Sequence, residues 1–491
     1  MRSTKLIRKI SDSYVKSRWL ATAHSQVRVS HKRRSARDVP VKTESINKGP
    51  METFLKAFSK DHPALHGINN VSDFGNLGLQ QDLCDAIKTL NVEHPTPIQV
   101  QSIPAILHGH NILCTSHTGS GKTLAYLLPI IHLLKNEEDI EGVVSRPSRP
   151  RTCVVVPFRE LSMQILRDVK YLSHFTKLRS LGLISGRKKK WIHEGLSEAV
   201  DIVVATPHVL LQYLQKGDIL LSDLSHLVFD EADTMFDPSF ASMALEILKY
   251  AGVNSWKESE QLLQTVFVTT TVPREILRTL SQIIPNLSIC NSGMHQILPH
   301  ISQKFVKISQ HKKSELLLQI VSQDLTQKEK KIMVFCNTTK SCDWTSYFLE
   351  ERGVPQIRLN GNMTKKERRL HLENFKTTET PILVCTNVAS RGLDTTNVNH
   401  VINFDFPVSV VDYVHRLGRT GRLGMKSNAS PRVTSFLSHN REIIIMEQIK
   451  KAMQHKSPLE DASLWQMKSN QNNRSKHRNP INDRNQHHKN R

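Results

Sequence analysis

Two short runs carry the residues best suited to chemistry. The first, 116–123, reads Ser-His-Thr-Gly-Ser-Gly-Lys-Thr. The phosphate-loop pattern G-x-x-x-x-G-K-[ST] asks for glycine at its first position, and Ser116 stands there instead. Gly119 and Gly121 keep the tightest part of the loop. Backbone N–H groups from Thr118 to Lys122 can cradle phosphates at the start of a helix. Lys122 then neutralises β- and γ-phosphate charge, and the Thr123 hydroxyl is a Mg²⁺ ligand. A generic Gly-Ser turn is the plainer reading. Strand-like Ile112-Leu113-Cys114 before the loop and helix-like Leu124-Ala125-Tyr126 after it argue against that. The second run, Asp230-Glu231-Ala232-Asp233, follows the apolar Leu227-Val228-Phe229. An acidic pair at a strand end downstream of a phosphate loop is how a nucleotidase holds Mg²⁺ and positions water.

Upstream of both, Phe74 precedes Pro95-Thr96-Pro97-Ile98-Gln99. A glutamine amide donates and accepts at once, which suits the N6/N7 edge of adenine. A phenyl ring can cover the face of the base. A Pro-x-Pro turn that opens a helix is the bland alternative, and only the phosphate loop downstream raises the nucleotide reading above it.

These residues need a scaffold. From about 72 to 290, the apolar runs 112–114, 152–156, 202–204, 227–229 and 265–268 alternate with helical patterns. That alternation predicts a parallel sheet covered by helices on both faces. A second alternating block, about 300 to 455, has strand candidates at 331–335, 356–359, 381–386 and 400–404, and no phosphate loop. The join is expected at 292–299, and the polar, proline-containing stretch 136–150 reads as a surface loop. The fold class is therefore α/β, with two tandem domains at 72–292 and 300–455.

Composition limits the remaining possibilities. Hydrophobic residues are 38% of the 491, enough for cores and for long polar segments as well. The net charge of +22 favours a polyanionic partner, nucleic acid before anionic membrane; a basic targeting segment with basic tails is the bland source of the same charge. Seven cysteines are scattered without a C-x-x-C pair, so neither a disulfide framework nor a zinc site is suggested, and a reducing compartment fits. No stretch approaches the roughly 18 apolar residues of a membrane span. The first 37 residues hold Arg2, Lys5, Arg8, Lys9, Lys16 and Arg18 against one acid, Asp12. Leu6, Ile7, Ile10 and Tyr14 recur at helical spacing among them. That is the pattern of a mitochondrial transit peptide, followed to about residue 70 by a basic linker; a disordered RNA-binding arm is the alternative. The tail, 456–491, is rich in Asn, His, Lys and Arg and is expected to be disordered.

Taken together, these motifs resemble those of a DEAD-box ATP-dependent RNA helicase of superfamily two, over roughly residues 72 to 455. The resemblance implies two RecA-like domains, with ATP between them and single-stranded RNA across both. It implies an ATP site made by Phe74 and Gln99 (a motif at about 72–100), the loop Ser116, His117, Thr118, Gly119, Ser120, Gly121, Lys122 and Thr123, and Asp394 on the nucleotide sugar. Val92 stands where the family usually has an aromatic. In the same terms Asp230 holds Mg²⁺ through water, Glu231 is the general base, and Asp233 couples the site to motif III. Tyr413-Val414-His415-Arg416-Leu417-Gly418-Arg419-Thr420-Gly421-Arg422 resembles motif VI, in which Arg419 and Arg422 act as arginine fingers; a basic RNA-facing surface is the other reading.

The RNA-facing motifs are present but altered. Arg159 lies in a motif Ia with Phe158 where Thr is usual, and Thr206-Pro207 start a motif Ib that continues His208-Val209. Arg368 is retained in a motif whose usual Gln is Lys365, and Arg391-Gly392 lie in motif V, where Asn387 replaces Asp. Ser185-Gly186 stands for a double glycine and is followed by Arg187-Lys188-Lys189-Lys190-Trp191, either a phosphate track with a base-stacking Trp191 or a solvated loop with a core Trp. Motif III, usually Ser-Ala-Thr, is Thr269-Thr270-Thr271, whose first and third hydroxyls can still reach Asp233. These departures bear on strand separation more than on hydrolysis. The expected function is an RNA-dependent ATPase that uses ATP and Mg²⁺ to separate RNA locally, with an ATP-gated RNA clamp as runner-up. A DNA helicase and a purely structural RNA-binding protein are the other rivals. The overall pattern resembles mitochondrial members linked to assembly of the large ribosomal subunit, which implies the matrix, with nucleus or nucleolus as the alternative address.

Overall fold

The computed structural model describes residues 73–253, 263–271, 274–292, 301–326, 331–377, 380–387, 398–421 and 430–455. The expectations for the basic N-terminal segment and the C-terminal tail lie outside these residues. In the first lobe, α1 (Gln81–Thr89) and α2 (Pro97–Leu107) precede β1 (Ile112–Thr115). Then come α3 (Lys122–Glu141), β2 (Thr152–Val155), α4 (Arg159–Thr176), β3 (Ser180–Leu183), α5 (Lys189–Ser197), β4 (Ile202–Ala205) and α6 (Pro207–Lys216). The lobe continues through β5 (His226–Asp230), α7 (Ala232–Met235), α8 (Ala241–Tyr250), β6 (Gln264–Thr269), α9 (Arg274–Ile283) and β7 (Ser288–Asn291).

The second lobe begins with β8 (Ser302–Lys307), α10 (Lys313–Leu325), β9 (Lys331–Phe335), α11 (Thr339–Glu350), β10 (Ile357–Leu359) and α12 (Lys365–Lys376). It closes with β11 (Ile382–Cys385), β12 (Val398–Asn403), α13 (Val410–Leu417), β13 (Arg432–Leu437) and α14 (Asn440–His455).

Each lobe is one sheet flanked by helices. The first has seven strands in the order β3-β4-β2-β5-β6-β1-β7, the second six in the order β10-β11-β9-β12-β13-β8. All pairings are parallel, so every strand of a lobe delivers its C-terminal loop to the same edge. The strand order decides which loops meet. β5, β6 and β1 are neighbours, with Thr115 opposite Thr269 and Asp230 opposite Val268. The loops after residues 115, 230 and 269 therefore converge although the chain separates them widely. On the other side, β2, β4 and β3 place the loops after Val155, Ala205 and Leu183 in a row.

The central strands are buried along their length and covered by apolar helix faces such as Tyr126, Leu127, Ile130 and Leu134 of α3. All seven cysteines are buried free thiols. Four strands went unanticipated: β3, β7, β8 and β13. Three of them are sheet edges, and β8 is partly exposed over its whole length. An edge strand need not be apolar on both faces, so it lacks the continuous run that marks a central parallel strand. The stretch 136–150, read as a loop, is helical as far as Glu141. Lys135 reaches Glu138 and Asp139 at 3.1 and 3.0 Å, one helical turn on, and Gly142 at φ 65° ends the helix. Among the described residues no helix is long and apolar enough to cross a membrane.

Candidate active site

The loop between β1 and α3 adopts the glycine-dependent turn expected of a phosphate cradle. Gly119 and Gly121 have φ of 78° and 83°, backbone that a side chain rarely adopts. At Gly121 a Cβ would also press into the Gln99 amide. The loop is strapped to the N-terminus of α2. Thr96 and Gln99 form a capping box, Thr96 Oγ1 donates to the Ser120 carbonyl at 2.8 Å, and Gln99 Nε2 donates to the Gly121 carbonyl at 3.1 Å. Gln99 Oε1 accepts from the Thr96 N–H at 2.8 Å. Each polar atom of this buried amide makes one bond within the protein, so Gln99 shapes the phosphate loop and keeps a second N–H and a second lone pair. Phe74 is only 3% exposed and packs in the core with Leu77 and Leu79.

Inside the loop, Lys122 Nζ donates to the carbonyls of Ser116 and His117, both at 2.7 Å. Desolvation lowers its pKa to about 8, against the opposing pull of Asp230. The Ser120 hydroxyl is buried with no hydrogen-bond partner among the described residues. An unpaired buried hydroxyl, a glycine cradle and a lysine curled onto its own loop fit a site built to receive phosphate oxygens.

Opposite the loop, Asp230 ends β5. Burial first, and the neighbouring Glu231 second, raise its pKa to about 6. Tyr126 on α3 donates to its Oδ2 at 3.1 Å and the Glu231 N–H to its Oδ1 at 2.8 Å. Tyr126 is a site residue that the sequence showed only as one apolar position in a helix. Glu231 sits in left-handed backbone at φ 54°, a non-glycine strain of about 1–3 kcal/mol at the turn from β5 into α7. A single carboxylate beside a phosphate loop and Thr123 suits Mg²⁺, which keeps waters and takes few protein ligands.

Asp233, the second residue of α7, is the most heavily bonded carboxylate of the site. Its Oδ2 accepts from Thr271 Oγ1 at 2.8 Å, Thr270 Oγ1 at 3.1 Å and the Thr271 N–H at 3.2 Å. His415 Nε2, from the second lobe, lies 3.2 Å from the same oxygen and donates to it when that nitrogen carries the proton. Thr269 plays a different part from the one its position suggested. Its hydroxyl donates to the Thr271 carbonyl at 2.6 Å and so holds the turn after β6. The middle threonine, which the sequence reading passed over, is the one that touches Asp233 and approaches His415 Nε2 to 3.5 Å.

The second lobe meets the first at further points. Thr118 Oγ1 donates to the Gly418 carbonyl at 3.3 Å, and a Cβ on Gly418 would overlap that hydroxyl. Arg368 Nη1 bonds Glu160 Oε1 at 3.1 Å. Arg419 is 5% exposed with Nε donating to the His415 carbonyl at 3.3 Å. Arg416, also missed, is fully buried. It donates to Asn387 Oδ1 at 2.8 Å, Asn337 Oδ1 at 2.7 Å and the Asp405 carbonyl at 2.8 Å, bracing α13 against the ends of β9, β11 and β12. The asparagine that departs from motif V is therefore the partner of a buried arginine whose pKa burial lowers to about 10. Arg159 follows β2 and donates to the Ser185 carbonyl, while Thr206 immediately precedes α6, whose first residue is Pro207. Arg391, Gly392, Asp394 and Arg422 lie outside the described residues.

Comparison with known proteins shows the family and the fold. A family model described as DEAD/DEAH box helicase matches residues 96–279, and one described as helicase conserved C-terminal domain matches 312–424. DEAD-box ATP-dependent RNA helicase 39 of Arabidopsis thaliana is 36% identical over 439 residues, which are 89% of this chain and 68% of that protein. Probable ATP-dependent RNA helicase DDX28 of Homo sapiens is 32% identical over 426 residues, 82% of this chain and 77% of its own length. Among solved structures, S. cerevisiae Dbp5 bound to RNA and ADP BeF3 has a TM-score of 0.65 at 23% identity, covering 78% of this chain and 93% of its own. DEAD-box helicase Mss116 bound to ssRNA and UDP-BeF has a TM-score of 0.68 at 22% identity, covering 77% of each chain. These two structures speak to the fold.

Four donors crowd one oxygen of Asp233, more than its lone pairs can serve at full strength. Replacing Thr270 by Ala removes a donor from the first lobe and leaves His415 a less contested acceptor. A hydrogen bond of about 0.5–1.5 kcal/mol corresponds to a roughly 2- to 10-fold change in the lobe-closing equilibrium. T270A is expected to raise the ratio of strands separated to ATP hydrolysed by that factor. Duplex-separation and RNA-stimulated hydrolysis rates measured on the same preparation check this; an unchanged or lower ratio would count against it.

Proposed function

This chain belongs to the DEAD-box family of ATP-dependent RNA helicases, and on that premise we propose how its own residues divide the work. DEAD-box helicases bind ATP, and the loop from Ser116 to Thr123 is the phosphate site of this one. Lys122 exchanges the carbonyls of Ser116 and His117 for phosphate oxygens. Thr123 and Asp230, the latter through water, would hold Mg²⁺. When bound, the metal neutralises phosphate charge and orients the group that is transferred. Glu231 orients the attacking water and takes up its proton. Arg419, now bonded to a backbone carbonyl, and Arg422 turn toward the γ-phosphate when the lobes close. Phosphoryl transfer needs little covalent help, so positioning and charge carry it.

Single-stranded RNA lies across Arg159, Thr206 and Pro207 of the first lobe and Arg368, Arg391 and Gly392 of the second. Arg368 exchanges Glu160 for a backbone phosphate. Asp394 contacts the nucleotide sugar, and Gln99, which also holds the loop, lies with Phe74 on the adenine side of the site. The observation that carries this scheme is the contact of Asp233 with Thr270, Thr271 and His415. It ties the hydrolytic carboxylates to the second lobe through one oxygen. Local strand separation by closure suits such a bridge better than long-range translocation.

The biological setting we propose is mitochondrial RNA metabolism, with structured ribosomal RNA as the substrate class. Its support is the N-terminal segment, in which six of the first eighteen residues are Lys or Arg and only Asp12 is acidic. Residues 1–40 fused to a fluorescent protein should be imported into the mitochondrial matrix. Accumulation in the nucleus or nucleolus instead would remove this part of the proposal.

E231Q should reduce RNA-stimulated ATP hydrolysis by about 10²–10⁴-fold while ATP-dependent RNA binding persists. Retained turnover would exclude Glu231 as the base. The pKa shifts give a second measurement. Asp230, raised to about 6, is charged only above that pH, so Mg²⁺ affinity falls as pH drops through 6. Lys122, lowered to about 8, is charged only below that pH, so phosphate affinity falls as pH rises through 8. Binding of Mg²⁺-ADP to the free protein should thus peak between these values. D230N should flatten the acidic limb and leave the alkaline one; an acidic limb unchanged in D230N would assign that limb to the nucleotide's own phosphate.

A further inference from the structure

β3 is an edge strand of the first sheet, and a groove of about 660 Å³ runs beside it. Its walls are α4 and α5. A Cβ on Gly182 would press into Leu166 of α4, and one on Gly195 of α5 into Leu181. Consecutive strand residues point to opposite faces, so the two helices cover opposite faces of β3 and the groove lies between them. Leu178, Leu181 and Val200, all buried, give it an apolar floor. It reaches Ser180, the first residue of β3, and Val200, just before β4, at the end of the sheet opposite the loops proposed for nucleotide and RNA. Trp191 lines it as well, 40% exposed, with the Arg187 guanidinium 4.2 Å from its ring centroid.

Polar groups open into this groove. The carbonyls of Arg179 and Leu183 accept from the N–H groups of Ile202 and Thr206, on the β4 side. In a parallel pair alternate residues bond the same neighbour, so the N–H and C=O of Ser180 point away from β4, toward the groove that Ser180 lines. The Ser173 hydroxyl of α4 lines it too; the residue is 8% exposed, and the hydroxyl has no hydrogen-bond partner among the described residues. An unpaired buried hydroxyl beside an outward-facing main-chain rung is what an added strand would satisfy. The walls differ in charge. α4 presents Lys170 and His174, α5 presents Glu194 and Glu198, and all four are exposed. Glu194 pairs with Lys190 at 3.9 Å and Glu198 with Arg179 at 3.0 Å, exposed pairs that water screens and a ligand can exchange.

We propose that this groove binds an extended peptide segment of a protein partner, laid beside β3, with acidic side chains facing α4 and basic ones facing α5. A strand's period of two supplies that alternation. Main-chain bonds to Ser180 give affinity, and the oppositely charged walls select the sequence. A second copy of the chain is the wrong occupant. Antiparallel pairing of two β3 edges about a two-fold axis keeps the same face of each sheet up, so α4 meets α4 and α5 meets α5. Lys170 would then face Lys170, and Glu194 would face Glu194. Glu194 and Glu198 also repel a nucleic-acid backbone.

The test uses the full chain and two fluorescein-labelled peptides of one composition, read by fluorescence anisotropy. The first, Glu-Lys-Glu-Val-Val-Lys-Glu-Lys, puts acids on one face of a strand and bases on the other. The second, Glu-Glu-Glu-Val-Val-Lys-Lys-Lys, does not. The alternating peptide should bind about 10-fold tighter than the block peptide. N-methylation of its odd-numbered or its even-numbered backbone amides should abolish binding in one set and spare it in the other, because only alternate residues bond β3. S180P removes the outward N–H and leaves the β4 ladder intact, so it should weaken binding about 2- to 10-fold. E194K should weaken it about 3- to 10-fold. RNA-stimulated ATP hydrolysis and the thermal unfolding midpoint should stay at wild-type values in both variants, which verifies folding. Equal binding of the two peptides, or equal effects of the two methylation sets, would overturn the proposal. So would a dimer in sedimentation velocity that S180P dissolves, since the edge would then belong to a second copy.

Discussion

One carboxylate oxygen joins the two lobes chemically. Asp233 Oδ2 collects hydroxyl and amide donors from Thr270 and Thr271 and an imidazole from His415. Asp233 is nearly inaccessible, as is His415, so a lost partner would not be replaced by water. Its neighbours in sequence, Asp230 and Glu231, face the phosphate loop. The contact between the lobes and the two carboxylates proposed for hydrolysis therefore share one short turn of helix. That His415 must share its acceptor with three donors from the opposite lobe is the feature that distinguishes the coupling in this chain. A threonine at the middle position of motif III makes the sharing more severe than an alanine could.

The energetic logic of the nucleotide site is a set of tolerated costs. Lys122 and Asp230 are both desolvated against their charged forms, and Glu231 holds left-handed backbone. None of these favours the free protein. Each is partly offset by local bonds: Lys122 by two loop carbonyls, Asp230 by Tyr126 and a backbone N–H. Nucleotide phosphates supply better partners for Lys122 than its own loop carbonyls do. Behind the loop, Gln99 and Thr96 fix its shape through bonds to the carbonyls of Gly121 and Ser120.

In the second lobe a comparable economy surrounds Arg416. A fully buried guanidinium is normally matched with a carboxylate, but here it is held by asparagine amides and a backbone carbonyl. The resulting brace orients α13, and α13 delivers His415 to Asp233 and Gly418 to Thr118. A substitution that looks like a lost charge in motif V thus belongs to the support of motif VI.

The linear chain determined a good deal alone. Central parallel strands are apolar along their length because both faces are buried, so their runs were legible, and with them the α/β class and its two repeats. The phosphate loop and the acidic tetrad were legible because their chemistry depends on neighbours in sequence. Edge strands such as β3 and β8 were not, since one side of an edge strand need not be apolar. What tertiary structure alone decided was proximity. Strand order brings Thr115, Asp230 and Thr269 to adjacent loop ends, and it sets Arg187 in line with Arg159. Only the folded chain shows that Gln99 supports a loop, that Thr270 rather than Thr269 touches Asp233, and that Trp191 carries an arginine. Each of these depends on pairing between distant segments, and neither local propensity nor periodicity encodes that pairing.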